Sequence, residues 1–139
     1  LGGRLLLETH QIAGRPGSLV SSYEGGLKDA DAVEAAAIPV EDIRGPVLLI
    51  SGGDDQLSPS ARMGEMVMGR LDEHAFAYCH EHLTYAKAGH NLFVPYLPTT
   101  LANSGVMLLG GTPEADAAAN ADAWPNVLAF LEEALRAKP

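Results

Sequence analysis

Two short segments of the chain have the apolar pattern of buried β-strands. Residues 47–50 have the sequence Val-Leu-Leu-Ile, which lies between Gly45-Pro46 and a Ser-Gly-Gly-Asp-Asp turn. A continuous apolar run between turn residues is typical of a strand that is covered on both faces, as in a parallel sheet. Residues 77–85 predict a second strand, in which Leu83 and Tyr85 fall on the same face.

Apolar side chains recur at helical spacing after the first of these strands. The predicted helix begins with Ser58 as its N-cap and Pro59 at its first position, and it ends near residues 72–75. The residues that form its apolar face are Met63, Met66, Val67 and Leu71. We interpret the methionines as core-filling side chains.

A long final helix is predicted over residues 114–137, with Thr112 as N-cap and Pro113 at its first position. The Gly110-Gly111 pair before it lacks the strand and the lysine of a phosphate-binding loop, so we interpret it as a turn. The residues predicted to share the apolar face of this helix are Trp124, Val127, Leu128, Leu131 and Leu135. Strand, helix, strand and helix in this order predict an α/β fold with a mostly parallel sheet flanked by helices.

The first 37 residues carry fewer signals and are interpreted as a lead-in to the α/β portion at residues 38–139. Leu5-Leu6-Leu7 is a possible short strand. Residues 27–37 favour a helix because they are rich in alanine, glutamate and lysine. No function is assigned to this part of the chain.

An acidic pair and a histidine directly follow the two predicted strands. Asp54 and Asp55 follow the first strand, and His90 follows the second, 35 residues after Asp55. Open α/β sheets place their sites at the carboxyl ends of the strands, and consecutive strands joined by a right-handed crossover lie near each other. A carboxylate next to an imidazole fixes the orientation of the ring, which then acts as general base and general acid. The pattern therefore predicts an acid–base pair.

A nucleophile for such a pair is not visible in the sequence. In α/β-hydrolases the chain order is nucleophile, acid, histidine, and the nucleophile lies on a G-x-S-x-G-like elbow. The pairs Ser21-Ser22 and Ser58-Pro59-Ser60 lack the flanking glycines, and Ser104-Gly105 comes after the histidine. The nucleophile is therefore expected upstream of Leu1. On this expectation the chain alone is inactive.

Charge and composition exclude several other classes of function. The formal net charge of −9 disfavours binding to the phosphate backbone of nucleic acids. No apolar stretch approaches the ~20 residues of a membrane-spanning helix, and no signal peptide is visible, so neither a membrane partner nor secretion is expected. Cys79 is the only cysteine, which rules out a disulfide within the chain and suits a reducing cytoplasm.

The segment Cys79-His80-Glu81-His82, with His74 nearby, raises the question of a metal site. On a strand, His80 and His82 share a face, as two metal ligands require. However, the spacing matches no common zinc pattern, so we interpret the segment as a polar entrance to the second strand. Neither a metal nor another cofactor is expected.

Several motifs, in their order, resemble one family. The segment Ile-Pro-Val-Glu-Asp-Ile-Arg-Gly-Pro-Val-Leu-Leu-Ile-Ser-Gly at residues 38–52 and the following Gly-Asp-Asp-Gln-Leu-Ser-Pro-Ser resemble the C-terminal catalytic domain of acyl-CoA thioesterases and bile acid-CoA:amino acid N-acyltransferases. The turn at residues 85–90, Pro-Tyr-Leu-Pro at 95–98, Gly-Gly-Thr-Pro at 110–113 and Asp-Ala-Trp at 122–124 are similar to later motifs of that family. The resemblance covers about residues 38–135.

The resemblance implies the C-terminal part of an α/β-hydrolase fold, with a Ser or Cys nucleophile that attacks a thioester. It implies Asp55 as the acid and His90 as the base, since family members with one acidic residue in this loop keep it at the position of Asp55. Asp54 is the competing acid. Family members often carry Trp where Ser58 stands and Pro-Gly where Ala86-Lys87 stand. These differences leave the preferred acyl group open.

The leading hypothesis is therefore an acyl-CoA thioester hydrolase or acyltransferase, seen as its C-terminal portion, with an acyl thioester as substrate. The alternative is a non-catalytic or degenerate fragment that acts as a structural or interaction module. Half of a parallel sheet leaves an open edge and an uncovered apolar face. We therefore expect the chain to associate with itself or with a missing N-terminal portion.

Overall fold

The computed structural model describes residues 17–92, 95–96, 98–99 and 107–136. The elements in chain order are α1 (Val20–Gly26), α2 (Ala30–Ala36), a 3₁₀ helix (Val40–Asp42), β1 (Val47–Gly52), α3 (Ser60–Glu73), β2 (His80–Tyr85) and α4 (Pro113–Arg136). The predicted α/β architecture is confirmed. The possible strand at Leu5-Leu6-Leu7 lies outside the described residues.

Strands β1 and β2 form a parallel sheet, with Val47 opposite His80 and Gly52 opposite Tyr85. Alternate side chains point to opposite faces of a sheet. Ser51 and His82 contact each other on the face that α3 covers, where the ring of His82 lies against Gly64. Ile50 and its neighbours of the same parity face α4. Helices therefore flank the sheet on both sides.

Strand β2 begins at His80 and not at residue 77 as predicted, because the residues before it form the C-terminal cap of α3 and the turn that follows it. Ala75 has a positive φ of 50°, its N–H donates to Asp72 O, and Phe76 N–H donates to Leu71 O. These two bonds form a Schellman cap at the end of α3. The ring of Phe76 then packs near Tyr78, with ring centroids 5.4 Å apart. Pairing with β1 begins only at His80.

The buried face of α4 agrees only in part with the predicted one, since Trp124 and Val127 are half-buried but the three leucines are exposed. Leu128 is 50% exposed, Leu131 46% and Leu135 84%. The residues that are buried instead are Asp116, Ala119, Asn120 and Ala123. The apolar pattern was read from the C-terminal half of the helix, whereas the N-terminal half carries all of the buried positions. The helix begins within one residue of the predicted start, and its predicted end at residue 137 lies outside the described residues. The prediction of Thr112 as a cap is confirmed, since its Oγ1 accepts from Ala115 N–H.

The region before β1 contains two short helices, where the sequence predicted one at residues 27–37. Asp29 caps α2 by accepting from Ala32 N–H at 3.1 Å. Helix α1 was not predicted, since it contains Ser21-Ser22 and ends in Gly25-Gly26, all weak helix formers.

A bidentate ion pair fastens the 3₁₀ helix to α3. The Arg70 guanidinium donates through Nε and Nη2 to the Glu41 carboxylate, both at 2.6 Å. The hydrogen bonds from Arg70 lower the pKa of Glu41 to about 2. This contact orients the segment that leads into β1. No helix within the described ranges is long and apolar enough to cross a bilayer.

Candidate active site

The loop after β1 (residues 53–59, the acid loop) and the turn after β2 (residues 86–90, the histidine turn) meet at the carboxyl ends of the two strands. Asp55 Oδ2 lies 2.9 Å from His90 Nδ1, a hydrogen-bond distance between residues 35 positions apart. Gly53 N–H donates to Tyr85 O and Asp54 N–H donates to Ala88 O, so backbone bonds join the two loops directly. The structure thus brings together the acid and the base that the sequence singled out.

The Asp55 carboxylate is buried and held from several sides. Its side chain is 2% exposed. Oδ1 accepts from the backbone N–H groups of Leu57 at 2.8 Å and Ser58 at 3.0 Å, and Oδ2 accepts from Ser58 Oγ at 3.3 Å. These bonds fix the direction in which the second carboxylate oxygen faces His90.

Ser58 was predicted to cap α3, and this prediction is wrong. Helix α3 begins at Ser60, after Pro59, and no side-chain bond caps it. The Ser58 hydroxyl bonds to Asp55 instead. An Asp side chain that accepts bonds from N–H groups two and three residues later forms a tight turn, and this turn uses the residues that the sequence assigned to the helix start.

Two opposing effects set the ionisation of Asp55. Burial raises the pKa of this carboxyl group, while hydrogen bonds from His90, Ser58 and Leu57 lower it. The hydrogen bonds outweigh burial, so the pKa of Asp55 lies below its ordinary value of 3.8. Asp55 is therefore a carboxylate at neutral pH.

Asp54, the competing acid, bonds elsewhere. Its Oδ2 accepts from Gly111 N–H at 3.1 Å, and its Oδ1 accepts from Gln56 Nε2 at 3.2 Å. The residue is exposed. Its carboxylate therefore fastens the acid loop to the Gly110-Gly111 turn and does not hold the imidazole.

One carbonyl group holds both loops of the pair. Leu109 O accepts from His90 N–H at 2.9 Å and from Gln56 N–H at 3.3 Å. The next residue, Gly110, pairs with Asp55 in an isolated antiparallel bridge. The segment before α4 therefore sets the distance between the acid loop and the histidine turn.

The two glycines of this segment cannot be replaced without displacing the loops. Gly110 and Gly111 have φ values of 74° and 70°, a region that side chains disfavour. A Cβ on Gly110 lies 1.8 Å from Asp54 O, and one on Gly111 lies 2.3 Å from Gly89 N. The sequence correctly indicated a turn here but gave no sign of its contact with both loops.

A cavity of about 370 Å³ opens beside the pair. Asp55 and His90 contribute its polar wall, and the His90 side chain is 34% exposed. The apolar lining comes from β1 through Leu48 and Ile50, from α4 through Ala123, Trp124 and Val127, and from Leu92 after the histidine turn. An apolar space next to an oriented imidazole suits proton transfer at a substrate with an apolar group.

Three serine hydroxyls lie at this site, and each donates to a neighbouring oxygen. Ser58 Oγ donates to Asp55, Ser51 Oγ donates to Ser60 O at 3.2 Å, and Ser60 Oγ donates to Gly52 O at 3.3 Å. They serve to hold the acid loop.

The histidines of the Cys79-His80-Glu81-His82 segment point to separate partners. His80 bonds to Asp72 Oδ1 at 3.0 Å and to Tyr78 O, whereas His82 bonds to Ser51 Oγ at 2.9 Å. Cys79 is exposed. In the described ranges, no three His, Cys, Asp or Glu side chains are grouped so that they can hold a metal ion.

Sequence reasoning missed two polar residues on the buried face of α4. Asp116 Oδ1 accepts from Gly89 N–H at 2.7 Å, and Asn120 Nδ2 donates to Asn91 O at 3.1 Å. These two bonds hold the backbone at Gly89 and Asn91, the residues on either side of His90. The sequence does contain a signal for this face: Asp116 and Asn120 are four residues apart and share a helix face with Ala119 and Ala123.

Comparison with known proteins gives one family. Residues 15–137 match the family described as BAAT / Acyl-CoA thioester hydrolase C terminal. The chain is 30% identical over 99 residues to a peroxisomal succinyl-coenzyme A thioesterase from Mus musculus, covering 68% of this chain and 23% of that protein.

Two further relatives carry different activities in their names. An acyl-coenzyme A amino acid N-acyltransferase 2 from Rattus norvegicus is 34% identical over 103 residues, which cover 70% of this chain and 24% of the relative. A mitochondrial acyl-coenzyme A thioesterase 2 from Mus musculus is 32% identical over 141 aligned residues, which cover 88% and 30%. The chain thus spans about a quarter of the length of the curated relatives it matches.

Proposed function

Because the chain belongs to the BAAT and acyl-CoA thioester hydrolase C-terminal family, we propose that it supplies the acid and the base of an acyl-transfer site. Asp55 is the acid and His90 is the base. The nucleophile, a serine or a cysteine, lies in a preceding segment of the complete protein. The observation that carries the proposal is the 2.9 Å contact between Asp55 Oδ2 and His90 Nδ1.

The proposed reaction has two halves. In the first, His90 accepts the proton of the nucleophile as it attacks the thioester carbonyl carbon, and the resulting tetrahedral intermediate expels the CoA sulfur, which takes up that proton. An acyl-enzyme remains. In the second half, His90 removes a proton from water or from an amine as it attacks the acyl-enzyme. The acid or amide leaves, and the nucleophile regains its proton.

Asp55 acts on this reaction through the ring of His90. A carboxylate that accepts from Nδ1–H holds the ring in the tautomer whose other nitrogen accepts a proton, and it stabilises the imidazolium. Asp55 suits this role because it is buried, ionised at neutral pH and fixed by the N–H groups of Leu57 and Ser58. Asp54 is exposed, and its carboxylate bonds to Gly111 and Gln56 and not to the ring of His90.

The cavity suits the proposed substrate class. Its apolar wall, which includes Leu48, Leu92 and Trp124, lies beside His90 and can accept an acyl chain or the segment that brings the nucleophile.

The proposal also divides the chain into a lead-in at residues 1–37 and a hydrolase portion at residues 38–139. Pairing with the rest of the domain, or with a second copy, then covers the open edge of the sheet. We propose the cytoplasm as the compartment, because Cys79 is the only cysteine of the chain and a chain without an internal disulfide suits a reducing environment.

The proposal is tested by measuring release of the CoA thiol from acyl-CoA thioesters by the complete gene product. We expect thiol release, and mass spectrometry of the products with and without glycine separates hydrolysis from amide transfer. The 139-residue chain is the matched control and is expected to release no thiol, since the proposal places the nucleophile in a preceding segment.

Two results would contradict the proposal. If the complete product released no thiol from short-, medium- or long-chain acyl-CoA, the non-catalytic alternative would replace it. Thiol release by the 139-residue chain alone would show that the nucleophile had been placed in the wrong segment.

A further inference from the structure

Asp116 combines deep burial with a charged side chain. It is 1% exposed, and with Leu71 it is one of the two largest side chains that are fully buried among the described residues. Removing a carboxylate from water is unfavourable unless hydrogen bonds replace its solvation. A buried carboxyl group at this position therefore points to a specific contact that the fold requires.

That contact is made to the backbone of the histidine turn. Asp116 Oδ1 accepts from Gly89 N–H at 2.7 Å, in a buried hydrogen bond. The next N–H group, that of His90, donates to Leu109 O at 2.9 Å. Two consecutive N–H groups are thus fixed, one by Asp116 in the first turn of α4 and the other by Leu109 before this helix. Fixing both of them sets the peptide plane before His90 and the direction in which its side chain leaves the backbone.

The start of α4 holds the Asp116 carboxylate in place. Thr112 caps the helix through Ala115 N–H, and Asp116 N–H donates to Thr112 O at 2.9 Å. A carboxylate in the first turn is also favoured by the positive end of the helix dipole. The acceptor is therefore part of a hydrogen-bonded helix start.

The neighbouring glycine leaves space for this bond. A Cβ on Gly111 lies 2.5 Å from Asp116 Oδ1 and 2.3 Å from Gly89 N. Any side chain at this position therefore pushes into the carboxylate and its donor. Gly111 and Asp116 together hold the Gly89 amide. This contact lies next to His90 and does not involve Asp55.

We infer that Asp116 is a positioning residue for His90: its carboxylate holds the Gly89 amide so that the imidazole meets Asp55 in the geometry that proton transfer needs. This inference rests on the proposed function. Without an acceptor, the Gly89 amide is buried and unpaired, and the turn rotates to find another partner. Displacement of a catalytic group by about 1 Å costs on the order of 100-fold in rate.

The test compares three variants of the complete gene product. Asp116→Ala removes the acceptor and is expected to lower kcat for acyl-CoA cleavage about 100-fold with KM unchanged. Asp116→Asn keeps an amide oxygen for Gly89 N–H and is expected to recover most of the rate. The matched control is Glu114→Ala, which removes an exposed carboxylate from the same helix turn and is expected to behave as wild type.

A spectroscopic measurement separates positioning from folding. In the complete gene product, the proton of His90 Nδ1 that bonds to Asp55 is followed by NMR. We expect its downfield signal to be lost in Asp116→Ala and kept in Asp116→Asn and Glu114→Ala. If Asp116→Ala does not fold, Asp116→Ser is measured in its place. The serine hydroxyl is too short to reach the Gly89 amide, so this variant also removes the acceptor.

The inference is overturned if folded Asp116→Ala, or Asp116→Ser in its place, keeps both the wild-type kcat and the His90 Nδ1 signal. A purely structural role would lower the melting temperature and leave these two readouts unchanged. His90→Ala, assayed in parallel, identifies which idea has failed. An active His90→Ala variant contradicts the proposed function itself, whereas an inactive one beside a fully active Asp116 variant contradicts only the positioning role.

Discussion

His90→Ala in the complete gene product is expected to lower kcat for acyl-CoA cleavage on the order of 10⁶-fold, the scale of the loss when the histidine of a comparable triad is removed. The reason is that one imidazole serves both halves of the proposed reaction. It accepts the proton of the nucleophile and returns it to the CoA sulfur, and it then activates water or an amine. The measurement is the rate of CoA thiol release at saturating acyl-CoA.

His80→Ala is the matched control for this variant. His80 lies at the opposite end of β2 from the site, and its ring bonds to Asp72 and to Tyr78 O. Removing it changes the same residue type on the same strand, so wild-type turnover is expected. Undiminished turnover in His90→Ala, or an equal loss in both variants, would contradict the assignment of the base.

Asp55→Asn is expected to lower kcat about 10⁴-fold, as the corresponding change does in serine proteases. An asparagine amide fits the same space but donates a hydrogen where the carboxylate accepted one, so His90 adopts the wrong tautomer. Asp54→Asn tests the competing acid at the adjacent position. Its amide oxygen still accepts from Gly111 N–H, which the wild-type carboxylate does at 3.1 Å, so kcat is expected to stay near the wild-type value.

Circular dichroism and melting temperature show whether each variant is folded. A loss of rate in Asp54→Asn that matched that of Asp55→Asn would contradict the choice between the two acids. The reverse pattern, with only Asp54→Asn impaired, would assign the catalytic role to Asp54.

The meeting of the acid loop and the histidine turn could be predicted from the sequence because it follows from topology. Two buried strands with a helix between them form a right-handed crossover, and polar residues after each strand then lie at the same edge. The choice of Asp55 over Asp54 was different, since both residues follow β1 and either can fold toward β2. It depended on the resemblance to the family. In the structure, the N–H groups of Leu57 and Ser58 turn the Asp55 side chain inward.

The contribution of residues 107–116 could not be predicted in the same way. Leu109 O and Asp116 Oδ1 hold the backbone beside His90, and these contacts join positions 19 and 27 residues apart. Nothing in the local pattern specifies where a chain segment returns to the sheet. The apolar face of α4 was misjudged for a related reason, since Leu131 and Leu135 have helical spacing but lie on a part of the helix that the described residues leave uncovered.

The central claim is that Asp55 and His90 work as one unit, and the double variant Asp55→Asn/His90→Ala tests it most directly. Residues that act as a unit in catalysis have strongly non-additive effects when both are changed. The complete gene product with both changes is therefore predicted to release CoA thiol at the rate of His90→Ala alone. A further loss on the order of 10⁴-fold, the full effect of Asp55→Asn added to that of His90→Ala, would show that Asp55 acts independently and would contradict the account.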